Sequence, residues 1–156
     1  MRHNDRLMLV KVVHKEVINI ISAYAPQSDY TQEEKDLFIE ELETLARSVP
    51  PTERLVIGAD MNGHVGSDAN GYEGIYGGYG YEVCNEEGNR FLEMAQGLDM
   101  IVVNTCFRKR EDLKMLYLSG PYASQIDYFS VWQTGGKYVK DCTVIPVKQQ
   151  LNNTIY

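Results

Sequence analysis

With 156 residues, 44% of them apolar and 24% charged, the chain has room for one two-layer core and is too evenly mixed to be disordered throughout. A net charge of −7 excludes a general nucleic-acid coat, yet leaves open an enzyme that meets phosphate through a metal ion. No apolar run approaches the roughly 18–20 residues that span a bilayer, so a membrane role is not expected.

Leu7 to Val13 and Val17 to Tyr24 are rich in Val, Ile and Leu around His14-Lys15-Glu16, which predicts an antiparallel hairpin with a largely buried second strand. Pro26 ends it. Thr31 followed by Glu34 is a capping-box signature, and Phe38, Leu42, Leu45 and Val49 recur at helical spacing. Together they predict an amphipathic helix of about four turns, stopped at Pro50-Pro51. Arg54 to Asp60 reads as a short buried strand, and the glycines and tyrosines of residues 63–82 as a long loop. Asn85 caps a second predicted helix that turns Phe91, Leu92, Ala95 and Leu98 inward, with Gly97 near its end. Met100 to Val103 reads as a strand leading into Asn104. Leu113 to Leu118 and Gln125 to Trp132 predict a second hairpin around Gly120-Pro121, and Tyr138 to Ile145 a last, weaker strand. Helices alternate with strands early and strands dominate late, so the class is α/β, with helices covering a mixed, mainly antiparallel sheet. Residues 1–146 read as one domain and 147–156 as a frayed polar tail.

Gly58-Ala59-Asp60-Met61-Asn62-Gly63-His64-Val65-Gly66 is the most informative stretch. A carboxylate and a carboxamide close a strand two positions apart, so on an extended backbone both point to one side. Glycines after them let the loop approach a ligand closely. Such a group suits a metal, an activated water or a phosphoryl group; the same two residues also suit a plain turn. The cluster Arg108-Lys109-Arg110 reads either as a solvated loop or as a DNA contact. His64 reads as a loop residue, and the tyrosines at 72, 76, 79 and 81 as loop packing. Cys84, Cys106 and Cys142 fit neither a disulfide framework nor a zinc pattern; reduced thiols favour an intracellular compartment, the nucleus among the options.

The stretch around Asp60 resembles the "G-D-x-N" element of the endonuclease/exonuclease/phosphatase superfamily. Ser22-Ala23-Tyr24-Ala25-Pro26-Gln27 resembles its strand-end tyrosine motif, and Ser124-Gln125-Ile126-Asp127-Tyr128-Phe129 its "I-D-Y" strand, all in the family's order. Within it, Gly77-Gly78-Tyr79-Gly80-Tyr81 and Val139-Lys140-Asp141-Cys142-Thr143-Val144 resemble the endonuclease domain of non-LTR retrotransposons and the host proteins called craniofacial development protein 2. The resemblance implies a DNase I-like sandwich and a DNA endonuclease that uses Mg²⁺, with Mn²⁺ as a substitute. It implies that Asp60 serves as a metal-side carboxylate and orients or deprotonates the attacking water. It further implies that Asn62 supports the phosphate, Tyr24 positions it, and Asp127 orients a catalytic imidazole. DNA is the implied partner, contacted in part by Arg108, Lys109 and Arg110; no protein partner follows.

The chain also departs from that family. An intact member carries, before these motifs, strands bearing an asparagine and the glutamate that is the principal metal ligand; it ends on a catalytic histidine. This chain shows neither, and Leu116 stands nearest to an expected threonine. The expectation is a domain truncated at both ends and impaired in catalysis. A non-catalytic, domesticated or decayed remnant acting as an interaction module is the alternative. A phosphoinositide phosphatase fits less well, because the linking segments are of the retrotransposon kind.

Overall fold

The computed structural model describes residues 2–68, 71–110, 113–114, 117–119 and 122–143. Strands β1 (Leu7–Val13) and β2 (Val17–Tyr24) pair antiparallel from Leu7 opposite Ala23 to Val13 opposite Val17, the hairpin expected from the sequence. Helix α1 (Gln32–Arg47) starts on the capping box: the Thr31 side chain accepts from the Glu34 amide, and the Glu34 carboxylate accepts from the Thr31 amide. It returns the chain to β3 (Arg54–Asp60), which lies parallel to β2. Asn85 caps α2 (Glu86–Gly97), which leads into β4 (Met100–Val102) and a 3₁₀ turn, Val103–Thr105.

The expected second hairpin is smaller and differently built. β5 (Tyr117–Ser119) pairs only with β6 (Tyr122–Ser124). The following strand β7 (Asp127–Trp132) joins the main sheet instead, antiparallel to both β3 and β4. A period-two pattern marks β7 as a strand and says nothing of its partners, which lie roughly 30 to 70 residues upstream. The last predicted strand is absent among the described residues: a short helix α3 (Gln133–Gly136) and a turn at Tyr138–Val139 precede residues 140–143, which carry no strand. Ile145, Leu116, Gly120-Pro121 and the tail at 147–156 lie outside the described residues.

The sheet order is β1-β2-β3-β7-β4, with only the β2–β3 pair parallel. Both long helices supply apolar faces to one core. Phe38, Leu42 and Leu45 of α1, and Phe91, Leu92 and Ala95 of α2, are buried with Ile21 and Ile57 of the sheet. Each of the Phe, Leu and Ile side chains among them contributes about 1.5–3 kcal/mol by leaving water. The Phe91 and Tyr128 rings meet with centroids 5.2 Å apart.

The other face of the sheet carries neither long helix among the described residues and is covered only at its far end, by α3 and Tyr138. Burial alternates along β3 and, from Ile18 on, along β2, so Ile18, Ile20 and Val56 point away from the long helices. Met8, Val10, Val12 and Phe129 stand 40–51% exposed on the same side. The expectation of a largely buried β2, and of a buried β3, is therefore corrected to half-burial. An uninterrupted Val/Ile run reads as buried on both faces, but among the described residues both long helices cover one face, and only the short α3 lies against Ile101 and Val131 at the far end of the other. Among the described residues no helix is long and apolar enough to cross a membrane.

Candidate active site

Three strand ends coincide. In register, Tyr24 of β2 lies opposite Asp60 of β3, and Asp60 lies opposite Asp127 of β7. Residues paired across neighbouring strands share a face, with Cβ atoms about 5 Å apart. A phenol and two carboxylates therefore form one row across the sheet on its open side. Tyr24 is 44% exposed, and both aspartates are half-buried. The Asp127 carboxylate makes no hydrogen bond among the described residues; burial first, and the neighbouring Asp60 second, push it above the usual carboxylate range. Two adjacent carboxylates, one short of hydrogen bonds, suit a hard divalent cation that brings its own waters. Among the described residues no third His, Cys, Asp or Glu joins them.

The chain beyond the row is fixed by local bonds. The Ala25 amide donates to the Asp60 carbonyl at 2.8 Å, and the Met61 amide to the Ile126 carbonyl at 2.8 Å, so the three strands stay aligned past their ends. Asn62 has φ 48°, the left-handed region that Asn tolerates better than most residues. Its backbone amide donates to Asp60 Oδ1 at 3.0 Å, and its side-chain amide donates to the Ala25 carbonyl at 2.9 Å. The backbone is thus not extended here, which corrects the expectation that Asp60 and Asn62 project side by side. The Asn62 side-chain nitrogen braces the backbone just after Tyr24, and its side-chain oxygen has no bond among the described residues.

Residues 63–66 are held from beneath. The Asn85 side chain accepts from the His64 and Gly88 amides, each at 2.9 Å, so one residue both caps α2 and anchors the loop. The contact is tight: a Cβ on Gly88 would stand 1.8 Å from the His64 carbonyl oxygen. The buried Tyr128 hydroxyl reaches the Gln125 carbonyl at 2.6 Å and the Gly63 carbonyl at 3.0 Å, and accepts from the Val65 amide at 3.3 Å. Burial pushes this phenol far above its ordinary pKa. Tyr76 donates to the Gly66 carbonyl and accepts from Gly80; burial raises its pKa to about 12.

Other expected site residues are placed as follows. Arg108, Lys109 and Arg110 follow the 3₁₀ turn at the sheet end that carries Asp127; Lys109 is ion-paired with Asp141. His64 Nδ1 lies 3.4 Å from a Glu82 carboxylate oxygen, outside the row. The three cysteines are free thiols, and burial raises the pKa of each. Three contributors were missed in the sequence. The Asn104 side chain donates to the Asp127 carbonyl at 3.3 Å and accepts from the Phe129 amide at 2.6 Å, pairing β7 where β4 has ended. Gln27 donates to the Tyr24 hydroxyl at 3.0 Å. Tyr128 is the loop latch, and only its place beside Asp127 in the motif signalled it.

Two open grooves of about 730 and 760 Å³ lie at the opposite end of the sheet, around Arg54, Tyr138, Leu98 and Trp132. Neither holds a residue of the row. The row is exposed to solvent at Tyr24, and both aspartates are partly exposed.

No protein-family model matches the chain. It is 32% identical over 128 residues to craniofacial development protein 2 of Bos taurus and 29% identical over 128 residues to that of Tragulus javanicus. Each match takes in 80% of this chain, which spans only about a fifth (21% and 22%) of those relatives' length. Among solved structures, a 3′-5′ exonuclease, NExo, of Neisseria meningitidis superposes with a TM-score of 0.62 at 15% identity. That match covers 87% of this chain and 56% of the other. The 3′ phosphatase NExo from Neisseria bound to a product DNA hairpin gives 0.59 at 12% identity, over 85% and 54%. The chain therefore has the mixed α/β fold of DNase I-like proteins, and its resemblance is to the endonuclease/exonuclease/phosphatase superfamily and, in sequence, to craniofacial development protein 2.

Proposed function

We propose that this chain carries the ion- and phosphate-facing part of a divalent-metal-dependent DNA endonuclease site, with little turnover of its own. The observation that carries the reading is the row of Tyr24, Asp60 and Asp127 at one register position across three strands. Asp60 and Asp127 would hold Mg²⁺, or Mn²⁺ in its place. When bound, the ion supplies relief of the negative charge that builds on a phosphodiester during hydrolysis. Tyr24, its hydroxyl hydrogen-bonded by Gln27, orients a phosphate oxygen from the side of the row away from Asp127. Asn62 and the latched 63–66 loop keep the Asp60 carboxylate turned toward the same point. A row that spans three strands and is exposed to solvent at Tyr24 suits a polymer better than an enclosed small molecule.

Low turnover follows from what the row holds. Among the described residues no histidine stands in it to take the proton from an attacking water, and general-base help is worth about 10²–10⁴ in rate. Asp60 cannot serve fully as both ion ligand and base, because a bound cation lowers its basicity. The test is duplex DNA binding and plasmid nicking, each with and without Mg²⁺, on the chain and its Asp60→Ala variant. Mg²⁺ should strengthen DNA binding by the chain and not by the variant, while nicking by both stays at background. Robust nicking abolished by Asp60→Ala would overturn the low-turnover reading. An absence of any Mg²⁺ effect on binding would overturn the site.

The open apolar face of the sheet favours a second reading, an interaction module whose partner covers Ile20, Val56 and Phe129. The two readings are compatible, since the row lies at one end of that face.

A further inference from the structure

The row does not stop at Tyr24. The Tyr24 amide donates to the Arg6 carbonyl at 3.0 Å, and the next pair in register is Leu7 with Ala23. Arg6 thus sits opposite Tyr24 and continues the row by one more strand. Its guanidinium lies 5.8 Å from the centre of the Tyr24 ring and 4.7 Å from that of Tyr30. Both rings are exposed, at 44% and 39%. Among the described residues no carboxylate lies within ion-pair distance of Arg6. Nearby Asp5 is taken by Arg2. The Glu34 carboxylate is bonded to the Thr31 amide and hydroxyl, which hold it below its usual range, with Arg6's charge the weakest influence.

We propose that Arg6, seated between Tyr24 and Tyr30, is a subsite for a neighbouring nucleotide of a single-stranded DNA segment: the guanidinium takes its phosphodiester and the Tyr30 ring stacks on its base. This rests on the proposed DNA-hydrolase reading and extends it to a specific contact. The chemistry is that of single-strand binding, in which a cation tracks the backbone and an aromatic face receives a base of any identity. Two strand spacings, about 10 Å, separate the Arg6 and Asp60 backbones, the scale of one or two nucleotide steps once the guanidinium reaches forward. The order along the row is therefore cation, phenol, carboxylate, carboxylate. A strand laid across it meets Arg6 directly and the aspartates through an ion. In a chain of net charge −7, Arg6 is one of several described cations without a carboxylate partner, and its place in the row is what sets it beside the path of a bound strand.

The experiment is fluorescence anisotropy of a labelled single-stranded oligonucleotide with the full chain, in EDTA and across a salt series, so that neither ion nor turnover contributes. Arg6→Ala should weaken binding severalfold and make the salt dependence shallower by about 0.7 in log–log slope, one phosphate contact on a single strand. Arg6→Lys should restore the slope. Tyr30→Ala should weaken binding by about 5- to 100-fold with the slope unchanged, and Tyr30→Phe should bind like the parent. A purely structural role would not separate slope from affinity in this way, and circular dichroism of each variant checks that it folds. If the parent binds and all four variants bind alike with one slope, the subsite is overturned while the proposed function stands. If the parent binds no single-stranded oligonucleotide at low salt, the subsite falls, whereas the proposed function falls only if Mg²⁺ has no effect on duplex binding.

Discussion

Replacing Asp127 with asparagine should stabilise the protein at neutral pH and leave it unchanged in acid. The two carboxylates of the row sit at paired positions, where side chains start about 5 Å apart. Two unit charges at that distance repel by about 0.8 kcal/mol with water-like screening and about 3 kcal/mol at an effective dielectric of 20. Both groups are only partly buried, so solvent screening favours the lower end, about 1 kcal/mol. The sign follows from the direction of the shift. Burial and Asp60 raise the Asp127 pKa in the folded state, so the folded chain binds more protons than the unfolded one between the ordinary carboxylate value and the raised one. Stability is therefore lost as pH rises through that window and stays lower above it. Thermal melts in EDTA at pH 7 should place Asp127→Asn about 2–4 °C above the parent, as expected for a chain of this size, and the two should coincide near pH 3. A variant less stable than the parent at pH 7, or a difference independent of pH, would refute the reasoning.

Other expectations are simpler. Tyr128→Phe removes the acceptor of the Val65 amide and the single hydroxyl donor shared between the Gln125 and Gly63 carbonyls, and should cost about 1–3 kcal/mol in urea denaturation. Gly88→Ala forces a Cβ to within 1.8 Å of the His64 carbonyl oxygen; urea denaturation should show a loss of about 3 kcal/mol or more, with the 63–66 loop displaced. On the open sheet face, Ile20→Thr with Phe129→Ser should reduce binding of an apolar dye and self-association by light scattering, while thermal stability changes little.

The local elements were legible because local chemistry sets them. Thr31 and Glu34 marked the start of α1, Asn85 that of α2, and His14-Lys15-Glu16 the turn between β1 and β2. Strand partners were not: β7 pairs with β3 and β4 across dozens of residues, and nothing in Asp127–Trp132 names them. The open face was hidden for a related reason, since Ile18 and Ile20 look like core residues until the layer that would cover them is sought. Tyr24, Asp60 and Asp127 could be read as strand-end residues, and parallel and antiparallel registry then aligned them. Asn62 was misjudged because its left-handed φ ends the extended geometry assumed for it. Arg6 carries no motif at all; only pairing opposite Tyr24 gives it a place.

The central claim, that Asp60 and Asp127 act together on one cation, is tested most directly by titrating Mn²⁺ against the chain and reading free Mn²⁺ by electron paramagnetic resonance. One site per chain of about millimolar affinity is expected from a pair of carboxylate ligands. Asp60→Asn and Asp127→Asn should each weaken it by about tenfold or more, and the double variant should bind no more tightly than either. Binding left intact by either single replacement would mean that the two carboxylates do not share an ion, and the row would lose its function.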